Sequence, residues 1–304
     1  MRAAVIGMGS NSLRMLVADV DHAQKKLEQV LRARDGLRVF ASLSSENGGT
    51  VSQDMIEHAA MAIANMRRIA EELCTEKIFL YATSATRDCE NKDAFIGHIE
   101  AVNKLKLEVL SGLEEARYSF LGATFGKTGG VIDIGGGSTE IAVGSRGALN
   151  LAYSLQLGAV RLYRTVPVCG PEDVDRAVDR AKELIAPKAA ITKEHIQAHG
   201  LQELVGVGGT FTSLSALTQN IPWKSYDSIH NYVLDKEGVY QKMCELADMS
   251  IEERSQLPSM QPSRADIIVN GAAVLYACMD SFDIKHVRVS TKGNLEGYLI
   301  QKYL

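Results

Sequence analysis

Short apolar runs along this chain alternate with longer segments in which apolar side chains recur at the helical period. Residues 3–8, 13–20 and 27–34 are runs of strand length, and residues 77–81 form a fourth. In the segment 54–73, apolar residues recur every three or four positions, which predicts a helix. Strands alternating with helices in this way predict an α/β fold with a mixed sheet.

The second half of the chain continues this alternation. A helix over residues 113–125 leads out of the first half. The pattern then predicts a helix over 172–192 with an interruption near Pro187, a long apolar helix over 262–281, a strand over 286–290 and a final helix after Gly293.

Two parts of the chain match each other at a constant shift of 126 residues (131 minus 5). The stretch from Val5 to Ser12 matches the stretch from Val131 to Ser138, and short apolar runs follow at residues 15–18 and 141–144. Each copy therefore reads as a strand, a small-residue turn and a second strand. At the same shift, residues 77–84 match residues 203–210. The repeat predicts two lobes of similar build with a cleft between them.

The repeat also indicates a domain organisation. We expect a first lobe over residues 1–126 and a second over 127–292, with a hinge between Gly126 and Gly130. The C-terminal helix over 293–304 is expected to pack back on the first lobe.

Composition and charge limit the classes of function. The chain of 304 residues is 46% hydrophobic and 23% charged, as in soluble globular proteins, and it has no apolar run long enough to span a bilayer. Its five cysteines lack CxxC spacing, which is typical of a reducing compartment, so we expect a cytoplasmic protein without membrane contact. The net charge of −4 argues against nucleic-acid binding, and a polyanionic ligand needs a local basic patch.

The turns of the repeat are candidate phosphate-binding loops. Gly135, Gly136, Gly137 and Ser138 follow an apolar strand, and three consecutive glycines are rare in a plain hairpin. Such a loop lets backbone N–H groups face an anion. The loop of Ser10, Asn11 and Ser12 alone fits a structural turn equally well, and the repeat favours phosphate binding there too.

Four charged residues lie next to these turns or at other element ends. Asp133 ends the strand before the glycine loop, where it is either a turn acceptor or a ligand of Mg²⁺. Glu140 begins the next strand and can face the same cleft. Glu115 lies in the first turn of a helix, where acidic residues are common for electrostatic reasons alone. Arg87 follows a strand end and fits a phosphate clamp or a surface ion pair.

The two copies of the repeat differ at one position, where Gly7 corresponds to Asp133. With glycine at position 7, we expect a bound metal to depend on Asp133 and Glu140 alone. A carboxylate introduced at position 7 should then strengthen Mg²⁺ binding, unless another segment packs closely against this glycine.

Several ordered motifs resemble the exopolyphosphatase / guanosine pentaphosphate phosphatase family over essentially the whole chain. The resemblance implies the actin-like, sugar-kinase-like ATPase superfamily fold, with two ribonuclease-H-like lobes around an interlobe cleft. The matching motifs are residues 9–14, 83–88, 111–117, 131–140, 157–161, 206–210 and 262–268.

The resemblance also implies a chemistry. It indicates a Mg²⁺-dependent hydrolase that removes the terminal phosphate from inorganic polyphosphate or from guanosine pentaphosphate. It assigns Glu115 as the catalytic base, and Asp133 and Glu140 to the metal and the attacking water. The chain departs from the family pattern at Gly7, which is usually Asp, and at Leu295, where the family has Arg before Glu-Gly.

These inferences combine into one expected site. The terminal phosphate lies between the N–H groups of residues 10–12 and those of residues 136–138, with Arg87 adding positive charge and Mg²⁺ near Asp133. Two rivals remain: an ATP-using kinase of the same superfamily, and a weakly catalytic sensor of phosphorylated ligands. The sequence leaves the substrate choice and the oligomeric state open, with a homodimer among the alternatives.

Overall fold

The structure, a computed structural model, describes residues 1–43 and 49–304, and the first half of the chain forms a five-stranded sheet. Its strands are β1 (Arg2–Met8), β2 (Leu13–Asp21), β3 (Lys26–Asp35), β4 (Lys77–Ala82) and β5 (Leu107–Val109). They lie in the order β3-β2-β1-β4-β5. β1 pairs antiparallel with β2 and parallel with β4.

The second half forms a six-stranded sheet. Its strands are β6 (Gly129–Ile134), β7 (Thr139–Ser145), β8 (Ala148–Leu155), β9 (Glu203–Val207), β10 (Val233–Asp235) and β11 (His286–Ser290). They lie in the order β10-β11-β9-β6-β7-β8. β6 pairs antiparallel with β7 and parallel with β9.

The two sheets have the same topology. Counted from β8, the second sheet runs β8-β7-β6-β9-β11, which matches β3-β2-β1-β4-β5, and β10 is added at its edge. The 126-residue shift places β1 on β6, β2 on β7 and β4 on β9. The expected α/β fold with two ribonuclease-H-like lobes is therefore confirmed.

Twelve helices are formed by the described residues. They are α1 (Gln53–Glu72), α2 (Ser84–Asp88), α3 (Lys92–Asn103), α4 (Gly112–Thr124), α5 (Ala159–Thr165), α6 (Val174–Ala198), α7 (Gly209–Gln219), α8 (Tyr226–Ile229), α9 (Lys236–Ala247), α10 (Ile251–Gln256), α11 (Ile268–Phe282) and α12 (Asn294–Tyr303). None of these helices has both the length and the hydrophobicity that a transmembrane span requires.

Two helix predictions were wrong in detail. α6 continues through Pro187 without a break. Pro187 and Glu183 are both exposed, so the carbonyl oxygen that loses its N–H partner can bind water. The predicted helix over 262–281 begins only at Ile268, because the residues before it form tighter turns. The N–H of Ala265, for example, donates to the carbonyl of Pro262, three residues back, at 3.2 Å.

Each sheet covers its own hydrophobic core. In the first lobe, Ile6 and Met15 from the sheet pack with Ile63 of α1 and Phe95 of α3. In the second lobe, the helices α6, α9 and α11 pack together over the sheet. These cores fix the strand ends, and the strand ends carry the candidate site.

The C-terminal helix α12 packs against α4 and the first sheet. Leu295, Tyr298 and Leu299 share an apolar cluster with Val5 and Leu16. The backbones of α4 and α12 approach so closely that a side chain at Gly297 would collide with the carbonyl of Tyr118. This close packing positions α4, which carries Glu115, against α12.

Candidate active site

Two hairpin loops with the same hydrogen-bond pattern lie at the ends of the two sheets. The N–H of Gly9 donates to the carbonyl of Ser12 at 3.0 Å. At the equivalent positions, the N–H of Gly135 donates to the carbonyl of Ser138 at 2.9 Å. The repeat in the sequence thus corresponds to two matching turns.

The two loops approach each other closely, and the glycines make this possible. A Cβ atom at Gly136 would lie 2.9 Å from the Cβ of Ser10, and one at Gly137 would lie 2.7 Å from the Oγ of Ser84. Ser10 and Ser84 are themselves joined by a hydrogen bond of 2.7 Å between their hydroxyl oxygens. Larger residues at these glycines would separate the lobes at this point.

A cavity of about 50 Å³ lies between the loops. This volume exceeds the roughly 15 Å³ that a single water needs. Three carboxylates from different elements line it, Glu115 of α4, Asp133 of β6 and Glu140 of β7. Of the predicted phosphate-binding residues, those lining the same cavity are Ser10, Asn11, Ser12, Gly135, Gly136 and Ser138. Gly137 and Arg87 are not part of its lining.

The two adjacent glutamates in the first turn of α4, Glu114 and Glu115, have different environments. Ser111 caps the helix by accepting a hydrogen bond from the N–H of Glu114, and the Glu114 carboxylate accepts one from the N–H of Ser111 at 2.8 Å. This reciprocal pair stabilises the helix end by about 1 kcal/mol. Glu114 is exposed, whereas Glu115 is only 4% exposed and faces the cavity.

Asp133 and Glu140 form a buried acidic pair. They are paired in register across β6 and β7. The hydroxyl of Ser119 donates to Asp133, and the hydroxyl of Ser154 donates to Glu140 Oε1 at 2.6 Å. Burial raises the pKa of both carboxyls, and the charges of Glu115 and Asp133 raise the pKa of Glu140 further.

Arg87 contacts Glu115 directly. Its Nη1 donates to Glu115 Oε1 at 2.7 Å and to the carbonyl of Leu110 at 2.8 Å. Burial raises the pKa of Glu115 to about 7, against the opposing effect of the Arg87 charge. In this arrangement Arg87 orients the carboxylate, and its expected contact with phosphate stays a prediction.

Arg161 connects the glycine loop of the second lobe to the first lobe. Its Nε donates to the carbonyl of Gly137 at 2.7 Å, and its Nη2 donates to Asp88 Oδ2 at 2.7 Å. The side chain is buried. Gly137 is therefore fixed by this interlobe bridge instead of lining the cavity.

Sequence reasoning missed the cations of the cavity wall, Arg14 and Arg264. Arg14 pairs in register with Gly7, and it corresponds to Glu140 under the 126-residue shift. The first lobe therefore supplies a cation at the position where the second supplies a carboxylate. The repeat contained this signal, because it aligns Arg14 with Glu140.

A second, larger cavity of about 580 Å³ adjoins the first. The two share Arg14, Gly208, Gly209, Arg264 and Asn294 in their walls. The larger one, which we call the basic chamber, is lined by one carboxylate, that of Glu296, and by the six basic residues Arg14, Arg32, Arg34, Lys224, Arg264 and Lys292. It is a local basic patch on a chain with a net charge of −4.

The guanidinium groups of the basic chamber are incompletely paired. Buried guanidinium nitrogens of Arg14, Arg34 and Arg264 have no hydrogen-bond partner among the described residues. Burial lowers the pKa of Arg34 to about 10 and that of Arg264 well below its ordinary value, and charge repulsion from Arg14 adds to both effects. An anionic ligand would relieve this repulsion.

The carboxylates of the small cavity suit a Mg²⁺ ion that is also bound by phosphate and water. They do not form a complete set of protein ligands for a metal. Among the described residues, no group of three or more His, Cys, Asp and Glu side chains is arranged to hold a metal by itself. Mg²⁺ usually takes one or two carboxylates together with waters and phosphate oxygens. Asp133 and Glu140, buried side by side, match that requirement, because a divalent cation would offset their mutual repulsion.

The fold and the site together define a class of protein: a two-lobed α/β protein whose cleft combines two matching glycine- and serine-containing loops, buried carboxylates and guanidinium groups. A sequence model of the Ppx/GppA phosphatase family matches residues 16–304. The chain therefore belongs to the Ppx/GppA phosphatase family.

Individual relatives agree with this assignment. Exopolyphosphatase 2 of Mycobacterium tuberculosis is 31% identical over 286 residues, which cover 90% of this chain and 88% of that protein. Exopolyphosphatase 1 of Mycobacterium bovis is 28% identical over 307 residues, which cover 99% and 88%.

Solved structures share the fold over the whole chain. The crystal structure of the Aquifex aeolicus member of the Ppx/GppA family has a TM-score of 0.79 at 25% identity and covers 99% of this chain and 97% of its own. An exopolyphosphatase from Cytophaga hutchinsonii has a TM-score of 0.86 at 22% identity, covering 100% and 98%, and is similar in fold.

Proposed function

We propose that this protein is a hydrolase that releases the terminal phosphate of inorganic polyphosphate with the help of Mg²⁺. The observation that carries the proposal is the position of Glu115. This buried carboxylate lies in a cavity bounded by both phosphate-type loops, and its pKa of about 7 suits a general base at neutral pH. The similarity to two mycobacterial exopolyphosphatases supports the substrate class.

The proposed reaction assigns a task to each part of the small cavity. The terminal phosphate binds between the loops at Ser10–Ser12 and Gly136–Ser138. The Glu115 carboxylate takes a proton from a water molecule, whose oxygen attacks the terminal phosphorus. The bond between that phosphorus and the bridging oxygen breaks, and the bridging oxygen leaves with the shortened chain.

In this proposal, the other contribution to catalysis is the stabilisation of negative charge on the phosphate. Asp133 and Glu140 would hold the metal, which when bound neutralises charge on the phosphate oxygens. Arg14 faces the same cavity from the first lobe and stabilises negative charge there. Ser119 and Ser154 orient the two carboxylates through their hydrogen bonds.

The basic chamber would bind the rest of the polyanion. It shares walls with the small cavity and has six basic side chains against one carboxylate. A chain of phosphates with one charge per unit fits such a surface. The chamber also contains Trp223 and Tyr226, whose rings would suit a stacked base. Guanosine pentaphosphate is therefore the second candidate substrate.

Phosphate release by the purified protein tests the proposal. The assay compares polyphosphates of defined length, guanosine pentaphosphate and ATP, each with and without Mg²⁺. Release from polyphosphate is expected, and a Glu115→Gln variant serves as the inactive control. Turnover of ATP that depends on a second acceptor would favour a kinase. Tight binding of the phosphorylated ligands without release would favour a sensor.

A further inference from the structure

Tyr81 occupies the space that a side chain at position 7 would need. Gly7 and Tyr81 are paired in register on the neighbouring parallel strands β1 and β4. A Cβ atom at Gly7 would lie 2.6 Å from both Cζ and the hydroxyl oxygen of Tyr81. The ring therefore lies across the glycine, and both residues line the small cavity.

The second lobe has different residue types at the two equivalent positions. Its equivalent residues are Asp133 and Val207, which are paired in register on β6 and β9. Under the 126-residue shift, Asp133 corresponds to Gly7 and Val207 to Tyr81. One lobe thus places a carboxylate on the central strand beside a small apolar neighbour, whereas the other places a phenol on the neighbour beside a glycine.

The hydroxyl of Tyr81 is a buried polar group without a protein partner. Tyr81 is 1% exposed, and its hydroxyl has no hydrogen-bond partner among the described residues. Tyr81 lines the small cavity together with Glu115 and Asp133. A buried hydroxyl that stays unpaired is unfavourable, so its position at a ligand-sized cavity points to a bound partner.

We propose that the Tyr81 hydroxyl replaces the missing carboxylate of the first lobe and donates a hydrogen bond to the terminal phosphate group held between the two loops. This inference rests on the proposed function for the identity of the substrate. A phenol differs from a carboxylate here because it donates instead of accepting and carries no charge at neutral pH. The first lobe would then face the phosphate with a donor and with the Arg14 cation, leaving the carboxylates to the second lobe and α4.

The test compares Tyr81→Phe with the matched variant Tyr298→Phe. Tyr298 stacks on Tyr81 at 5.4 Å between ring centroids, but its hydroxyl donates to Glu108 at 3.0 Å and is not part of the cavity lining. Each variant loses one hydroxyl from the same stack, and of the two tyrosines only Tyr81 lines the cavity. Three quantities are measured: the Kd for inorganic phosphate with Mg²⁺ by calorimetry, kcat and KM for polyphosphate, and Tm.

We expect Tyr81→Phe to weaken phosphate binding by roughly 10-fold and to lower kcat/KM by a similar factor, because a charge-assisted hydrogen bond is lost. Its Tm should not fall, since the hydroxyl has no protein partner. Tyr298→Phe should lower Tm and leave phosphate binding unchanged.

Two results would overturn the inference: a Tyr81→Phe protein equal to wild type in phosphate binding and turnover, or one whose losses are accompanied by a fall in Tm as large as that of Tyr298→Phe. Failure of the proposed function has a different signature. In that case the wild type binds phosphate and Tyr81→Phe binds it more weakly, although neither protein releases phosphate from polyphosphate.

Discussion

The Arg87 guanidinium donates to the Glu115 carboxylate at 2.7 Å, and this ion pair sets the ionisation of the candidate base. Burial alone favours the neutral carboxylic acid, whereas the neighbouring cation favours the carboxylate. The balance leaves the pKa of Glu115 at about 7, where a general base is most effective at neutral pH. In the proposed mechanism Arg87 acts through Glu115, and this role does not require a contact between Arg87 and phosphate.

The first prediction concerns the identity of the base. Glu115→Gln keeps the shape of the side chain and removes its basicity, so kcat for polyphosphate should fall by about 10²–10⁴-fold. Binding of inorganic phosphate should persist, because the loops and cations are unchanged. Phosphate-release assays measure kcat, and calorimetry measures the binding of inorganic phosphate.

Glu114→Gln is the matched control for this prediction. Glu114 is exposed and its carboxylate caps α4, a role that glutamine also performs. Its rate and Tm should remain close to wild type. Full activity in Glu115→Gln, or inactivity in Glu114→Gln, would place the base elsewhere.

The second prediction is a pH dependence set by the same ion pair. Since the pKa of Glu115 is raised to about 7, the active carboxylate form accumulates above that pH, and kcat/KM should rise with pH through about 7. Arg87→Gln removes the cation that lowers this pKa, so the rising limb should move up by about 1 pH unit or more. Arg68→Gln, an exposed change on α1, should leave the profile unchanged. An identical limb in Arg87→Gln and wild type would mean that another group titrates.

Much of the fold was predictable from the sequence because the repeat carries long-range information. The constant shift between residues 5–12 and 131–138 predicted two lobes of similar build, and the equivalence of 77–84 with 203–210 strengthened that prediction. The helices were predicted from the periodicity of apolar residues. It did not distinguish the turns before Ile268 from a helix, since both bury apolar side chains.

The residues of the candidate site were predictable where one segment, the repeat or the family resemblance carries their signal, but the contacts between distant segments were not. Asp133, Glu140 and the glycine loop lie within eight residues of one another, counted from 133 to 140. The partner of Arg87 is 28 residues away, and whether Arg87 meets Glu115 or solvent depends on how α4 packs. Tyr81 was not predicted as a site residue, because an aromatic residue in a strand is as easily explained by a position in the core. Its position beside Gly7 on the neighbouring strand follows only from the strand register.

The third prediction concerns the basic chamber. Arg34 lines the chamber but not the small cavity. Arg34→Gln should therefore raise KM for long polyphosphate by roughly 3- to 10-fold, with little change in kcat or in KM for tripolyphosphate. Its Tm should not fall, because burial and Arg14 already disfavour this guanidinium. Arg68→Gln is again the control. An equal effect on long and short substrates would argue that the chamber does not hold the distal chain.

The last prediction concerns the pair formed by Gly7 and Tyr81. A carboxylate at position 7 was expected to strengthen Mg²⁺ binding unless another segment packs closely against the glycine, and the Tyr81 ring does so, 2.6 Å from the required Cβ. Gly7→Asp alone should lower Tm markedly, because the ring is buried against Tyr298 and has little room to move. Tyr81→Val alone should also destabilise, because it leaves a cavity where the ring was.

The double variant Gly7→Asp/Tyr81→Val reproduces the arrangement of Asp133 and Val207 in the second lobe, which the fold already accommodates at the same register. It should be more stable than the sum of the single changes predicts, with a coupling of about 1 kcal/mol or more in a urea-unfolding cycle. The double variant should also reach half-maximal activity at a lower Mg²⁺ concentration than wild type. The reason is that the first lobe, as well as the second, would then present a carboxylate to the metal. Additive single effects would refute the steric pairing of these two positions. Restored stability with unchanged Mg²⁺ dependence would instead show that position 7 does not face the metal, and would leave the phosphate as the ligand that the first lobe recognises.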